Sequence, residues 1–250
     1  MEFLTLLKMS RERYYNYIEG KSIALVGPAE YLTKTKNGKI IDDFDIVVRI
    51  NRGTELIDRY SDSIGSRTDI LYNCLVNSPD NGGNLNVKDY KNRGIKWIST
   101  VPGSDSFGNC YSSSLHPMVK LLDIYKMKLF FNFHVMDFRS YASLNKKVNS
   151  RANTGFSAIF DLLENRPKLL YITGFSFYLD NFIPGYKNGC SRDEVEFSRQ
   201  CFISERHKQK PQWELLKNTF KTVENITVDP TLEKILSLDD FSREAAGALI

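Results

Sequence analysis

Three short stretches of the 250-residue chain hold residues suited to binding an anion or moving a proton. In "ANTGF" (152–156), Asn153 and Thr154 stand before an apolar run, Phe156, Ile159, Phe160 and Leu163, at helical spacing, so either residue can N-cap a predicted helix. Gly155 in the first turn costs about 1 kcal/mol of helix stability against Ala. That cost is understandable if a ligand comes close to the backbone there, because the N–H groups and dipole of a helix start favour an anion or a base. In "VRINRG" (48–53), Arg49, Asn51 and Arg52 crowd one strand end ahead of Gly53. Arg49 either pairs with Asp43 or Asp45 or meets a ligand. Asn51 either caps a turn or offers its two donors and one acceptor to a ribose hydroxyl or a phosphate oxygen.

The third stretch is "SERHKQKPQ" (204–212) with His207. Histidine suits general-base work near neutral pH, with an unperturbed pKa of about 6.5. The chain has three. His116 precedes Pro117 at a predicted helix start, and His134 lies in an aromatic strand and reads as a core residue. His207 sits in a polar loop before a helix predicted at 211–223. Arg206, Lys208 and Lys210 around it are either a solvated charge run or a draw for a phosphate or carboxylated sugar.

These residues need a scaffold, and the pattern of the chain supplies one. An amphipathic helix at 3–19 stops at Gly20. Apolar runs that read as strands follow at 22–27, 44–50, 69–75, 95–100, 129–136, 169–175 and 225–228, with helix-like or polar segments between them. The alternation predicts an α/β fold: a Rossmann-like, mostly parallel sheet of about seven strands with helices on both faces. In such a sheet ligands settle beyond the carboxyl ends of the strands. There Gly27 permits close backbone approach, either for a tight connection or for an anion, while Pro28 offers no N–H. Gly174 and Phe175 end the sixth predicted strand. Tyr178 and Tyr186, in a long irregular region at 176–210, are possible phosphate donors, and that region is a candidate mobile lid.

Composition narrows the function. Hydrophobic residues make up 42% of the chain, enough for one sizeable core, and 34 basic against 30 acidic residues leave an excess of four, too small and too interspersed for a dedicated nucleic-acid binder. The four cysteines, Cys74, Cys110, Cys190 and Cys201, form no C-x-x-C pair and read as thiols in a reducing compartment. The start of the chain lacks signal-peptide character, and no apolar run is long enough to span a membrane. One domain over 1–250 is expected. The D-x-D triplet Asp43-Phe44-Asp45 leads into a predicted strand and is expected to be structural, so no metal is expected.

Taken in order, "SIALVGPAEYL" and "DDFDIVVRINRG" resemble the large sialyl motif of glycosyltransferase family 29, the sialyltransferases, and "GSRTDILY" (65–72) resembles the segment that follows it. "ANTGFSAIFDLL" with "LLYITGF" is similar to the small sialyl motif, and His207 stands where the very short motif supplies a histidine. The resemblance covers about 20–216. It departs from the family pattern at Pro28, at Asn153, in the missing motif cysteines and in Glu214, seven residues after His207. It implies a single-domain GT-A-like fold and inverting, metal-independent transfer of sialic acid, or a related ulosonic acid such as Kdo, from a CMP donor to a glycan or glycolipid acceptor. Asn51 would then lie near the nucleotide, Thr154 and Gly155 at the donor, and His207 would be the base. Gly27, Asn153, Gly174, Phe175 and Tyr186 complete the expected donor cleft. No cofactor beyond the CMP-sugar substrate is expected, and a cytoplasmic microbial or viral relative fits the missing cysteines. The alternatives are a CMP-Kdo-dependent transferase on the same scaffold and a nucleotide-binding protein without transfer activity.

Overall fold

The computed structural model of the chain describes residues 2–77, 81–102, 122, 125–187 and 199–247. Seven strands form one sheet in the order β5-β4-β3-β2-β1-β6-β7, and every neighbouring pair is parallel. They are β1 Ser22–Val26, β2 Ile46–Ile50, β3 Ile70–Tyr72, β4 Trp97–Thr100, β5 Asn132–Val135, β6 Leu169–Thr173 and β7 Ile226–Val228. All seven expected strands form, each of them shorter than its apolar run. Strands β2, β3 and β4 are buried at every residue, as strands covered by helices on both faces must be.

Helices α1 Glu2–Ile18, α2 Gly38–Asp42, α3 Ile57–Ile64, α4 Val87–Asn92, α5 Phe138–Lys147, α6 Thr154–Glu164, α7 Gln209–Thr222, α8 Pro230–Ser237 and α9 Arg243–Gly247 surround the sheet. The sheet thus has helices on both faces. Among the described residues no helix is long and apolar enough to cross a membrane.

Under α6 lies a buried polar cluster. The Asp161 carboxylate accepts from the Tyr72 hydroxyl at 2.7 Å and lies 2.9 Å from His134 Nε2, and Tyr14 stacks on the His134 ring at 3.8 Å. His134 is therefore a core residue, as its aromatic strand implied. Arg49 takes neither expected role. Its buried guanidinium donates to the carbonyls of Ile64, Gly65 and Arg67 and to the Thr68 hydroxyl, so it braces the turn into β3, and burial holds its pKa down to about 10. Asp45 instead accepts from the Ser22 N–H and hydroxyl. The Asp43-Phe44-Asp45 triplet precedes β2 and so lies at the amino edge of the sheet.

Strand order reverses beside β1: β2 to β5 extend to one side and β6 and β7 to the other. The turns after β1 and β6 therefore open at the topological switch point, where open α/β sheets bind ligands.

Candidate active site

At that switch point the two turns touch. Gly27 N–H donates to the Thr173 carbonyl and Ala29 N–H to that of Gly174. A Cβ on Gly27 would run into the Gly174 carbonyl, so this glycine is explained by packing of backbone on backbone, and it sits beneath the cleft rather than in its lining. Gly174 is in the left-handed region at φ +74°. Its N–H meets the Tyr31 hydroxyl at 2.9 Å and the Asp229 carboxylate at 3.2 Å, and Tyr31 donates to Asp229 at 2.7 Å. Asp229 also caps α8 through Thr231 and Leu232. Burial, then the Asp229 charge, pushes the Tyr31 phenol upward, so it stays a neutral donor. The end of β6 is thereby fixed from below.

Above it opens a cleft of about 380 Å³, a size that suits a small organic ligand. Of the residues singled out in the sequence, Asn51, Asn153, Thr154, Gly155, Gly174, Phe175, Tyr186 and His207 all line it. Asn153 is the N-cap of α6, its Oδ1 accepting from Phe156 N–H at 2.8 Å. The first-turn N–H groups of Thr154 and Gly155 remain as helix-end donors. Asn51 is held at φ +48°, with its Oδ1 accepting from Cys74 N–H at 2.9 Å, and the Tyr186 hydroxyl donates to the carbonyl of the preceding Ile50 at 3.4 Å. Its acceptor is therefore used within the fold, and what it retains for a ligand is donor capacity. Tyr186 is buried and Tyr178 half-buried, and desolvation raises both phenols.

His207 ends a short 3₁₀ turn, Glu205–His207, that is tied to the chain just ahead of α6. Arg151 N–H donates to the Arg206 carbonyl at 3.2 Å, and His207 Nδ1 lies 2.7 Å from the Arg151 carbonyl. A carbonyl only accepts, so Nδ1 carries the proton, and the neutral ring keeps its lone pair on Nε2. Gln212 secures the junction by donating to the Lys208 carbonyl at 2.9 Å and accepting from Asn153 N–H at 3.3 Å.

Several cleft residues carried no usable signal in the sequence. Arg151, Lys187, Cys74 and Cys201 line the cleft, and Gln212 braces it, yet each is a single side chain in an ordinary local pattern. Phe177 and Tyr178 sit in succession at φ +53° and +59°, a strained turn of the kind that concentrates at functional sites. Glu214 is exposed and outside the lining, Lys208 pairs with Glu205 at 3.2 Å, and Lys210 faces solvent; Arg206 alone of the three neighbouring cations lines the cleft. The flank of the expected lid at 176–187 is packed wall, with Ile183 fully buried and Tyr186 nearly so. Residues 188–198 of that region, like His116, Cys110 and Cys190, lie outside the described residues.

The family model for glycosyltransferase family 29 (sialyltransferase) matches residues 6–148. Among solved structures, the sialyltransferase CstII from Campylobacter jejuni in complex with the substrate analogue CMP-3FNeuAc is similar at a TM-score of 0.51 and 14% identity, over 83% of this chain and 81% of that one. A mammalian sialyltransferase gives a TM-score of 0.52 at 12% identity over 84% and 69% of the two chains. The monofunctional alpha-2,3-sialyltransferase Cst-I from Campylobacter jejuni gives 0.50 at 15% identity over 83% and 75%. At such identities the likeness is one of fold. No curated protein sequence matches the chain. The family match stops short of Asn153, so the second half of the cleft stands on its own geometry. With more than half of its length matched and the fold in agreement, the chain belongs to glycosyltransferase family 29, the sialyltransferases.

Proposed function

We propose that this glycosyltransferase moves sialic acid, or a related ulosonic acid such as Kdo, from its CMP donor to a glycan hydroxyl, with inversion, without a metal, and with His207 as general base. The observation that carries the reading is the single cleft shared by the α6 start, Asn51 and a histidine whose Nδ1 is committed to the Arg151 carbonyl. The Thr154 and Gly155 N–H groups and the helix dipole suit the phosphate of CMP. The remaining donor of Asn51 suits a nucleotide oxygen. The phosphodiester of a CMP-sugar is a good leaving group, so the protein has two tasks: to stabilise departing CMP and to remove the acceptor proton. Nε2 of His207 takes that proton as the hydroxyl attacks the anomeric carbon opposite CMP, the C–O bond to phosphate breaks, and CMP leaves with the bonding pair.

Cys74 and Cys201, which line the cleft, are thiols rather than a disulfide, and thiols suit the cytoplasmic setting that belongs to this reading.

The test is His207→Ala, assayed for CMP release from CMP-sialic acid and CMP-Kdo with glycan acceptors present, with and without EDTA. Transfer should fall about 10²- to 10⁴-fold while CMP affinity holds, and EDTA should change nothing. Near-normal turnover in the variant would remove the base. CMP binding with no consumption of any activated sugar would leave a nucleotide-binding protein instead.

A further inference from the structure

Beside the cleft lies a second, smaller groove formed by Arg199, Phe202, Ile203, Phe241 and the start of α9, Ser242 to Glu244. The two share a wall. Phe177 and Asn181 line the cleft; Phe177 packs edge-on against Phe241, and Arg243 Nη2 donates to Asn181 Oδ1 at 3.2 Å. Phe202 and Phe241 stack at 5.5 Å with 24° between their planes, giving the groove an aromatic side. The other terminal guanidinium nitrogen, Arg243 Nη1, is buried and has no hydrogen-bond partner among the described residues. A cationic donor in that state is costly to leave unmade. Arg243 is also held below its usual pKa, first by burial and then by the charge of Arg199. The opposing charges are Glu244 on the same short helix and Asp180 across the wall, and Asp180 already accepts from the N–H groups of Tyr31 and Asn181.

We infer that this groove is an acceptor subsite for an acidic sugar, its carboxylate or phosphate held between the guanidinium groups of Arg243 and Arg199 and its ring lying against Phe202 and Phe241. A fork of guanidinium donors suits either anion, and stacked rings with a few placed polar groups suit a sugar. The inference rests on the transferase reading, since it makes the groove an extension of the donor cleft on the acceptor side.

The test is binding of 3′-sialyllactose, lactose 1-phosphate and lactose to the CMP-loaded protein by calorimetry, at low and high salt, repeated with Arg199→Gln and Arg243→Gln. An acidic sugar should bind about 10-fold more tightly than lactose at low salt, and the preference should fall toward unity in either variant and at high salt. The sialylated and phosphorylated arms decide which anion is taken. Arg199 is exposed, so its variant keeps the proposal testable even if Arg243→Gln unfolds. Equal binding of all three sugars, or a preference that survives Arg199→Gln, would overturn the subsite. CMP-sugar hydrolysis by the unaltered protein, without any acceptor, tests the transferase reading separately.

Discussion

Replacing Gly174 by Ala isolates what holds the cleft floor. Two costs add at this position. The residue stands at φ +74°, where a side chain costs roughly 1 to 2 kcal/mol. An added Cβ would also come within 2.5 Å of the Gly27 carbonyl oxygen and of Leu32 Cδ1. The carbonyl belongs to the β1 turn and cannot swing aside as a side-chain tip would, so overpacking adds roughly 1 to 3 kcal/mol. The sum is about 2 to 5 kcal/mol. Gly20 is the matched control, because it has nearly the same φ, +71°, with nothing within 4 Å of the added methyl. Gly20→Ala therefore carries the backbone cost alone. Urea denaturation of both variants reads the difference, and calorimetric CMP binding reads its effect on the cleft. Gly174→Ala should lose clearly more stability and also weaken CMP, since Phe175 to Tyr178 follow directly. Equal losses in the two variants would refute the claim that backbone contact between the two turns sets the floor.

Asn51→Ala should weaken CMP by about 1 to 3 kcal/mol, because it removes the side-chain donor and the acceptor of Cys74 N–H; unchanged calorimetric affinity in a folded variant removes Asn51 from the site. Asp69 bears on acid stability: burial alone would raise its pKa, but the Lys96 ammonium, Val47 N–H and the Arg67 guanidinium together bring it below the usual carboxylate range. A folded-state pKa below the unfolded value contributes stability above about pH 4, and that contribution is lost as pH falls through the folded value. Asp69→Asn should thus cost about 2 to 4 kcal/mol near neutral pH, with the gap to the unaltered protein closing in acid. A gap that persists well below pH 4 would contradict this assignment.

The sheet was legible because strands covered on both faces become continuous apolar runs, and those runs stand out from the amphipathic helices between them. Their ends were less so. The run at 129–136 begins with Leu129 and Phe130, which are exposed residues ahead of β5, and the run at 69–75 continues past Tyr72 into Asn73, whose side chain leaves the sheet to bond Gly82 and Leu75. Apolar content does not mark where a ladder stops. In the site, Asn153 and Thr154 were readable from local chemistry, as a cap before a helix, whereas His207 stood out only through its place in the order of the motifs. Gly27 and Arg49 were visible but not interpretable, since their partners, the Gly174 carbonyl and the 64–68 turn, are supplied by other parts of the chain. Gln212 was invisible for the same reason: nothing about a glutamine in a first helical turn marks it as the bridge between Lys208 and Asn153.

What those bridges accomplish is to decide which polar atoms are left over. Asn51 commits its oxygen to Cys74, Asn153 commits its oxygen to Phe156, and His207 commits Nδ1 to Arg151. Toward the cleft these residues present amide donors on the α6 and β2 side and the His207 ring on the side of the turn before α7, alongside the cations Arg151, Arg206 and Lys187. On the proposed reading, the donors on one side are placed to stabilise the negative charge that grows as CMP departs, and the His207 ring on the other to take the proton released by the incoming hydroxyl. Because each group is fixed by a bond within the protein, little reorganisation is needed when the charge develops, and that fixed orientation is where most electrostatic catalysis originates. A free histidine on a loose loop would have to choose its tautomer and position during each turnover. Here the Arg151 carbonyl makes that choice in the resting fold.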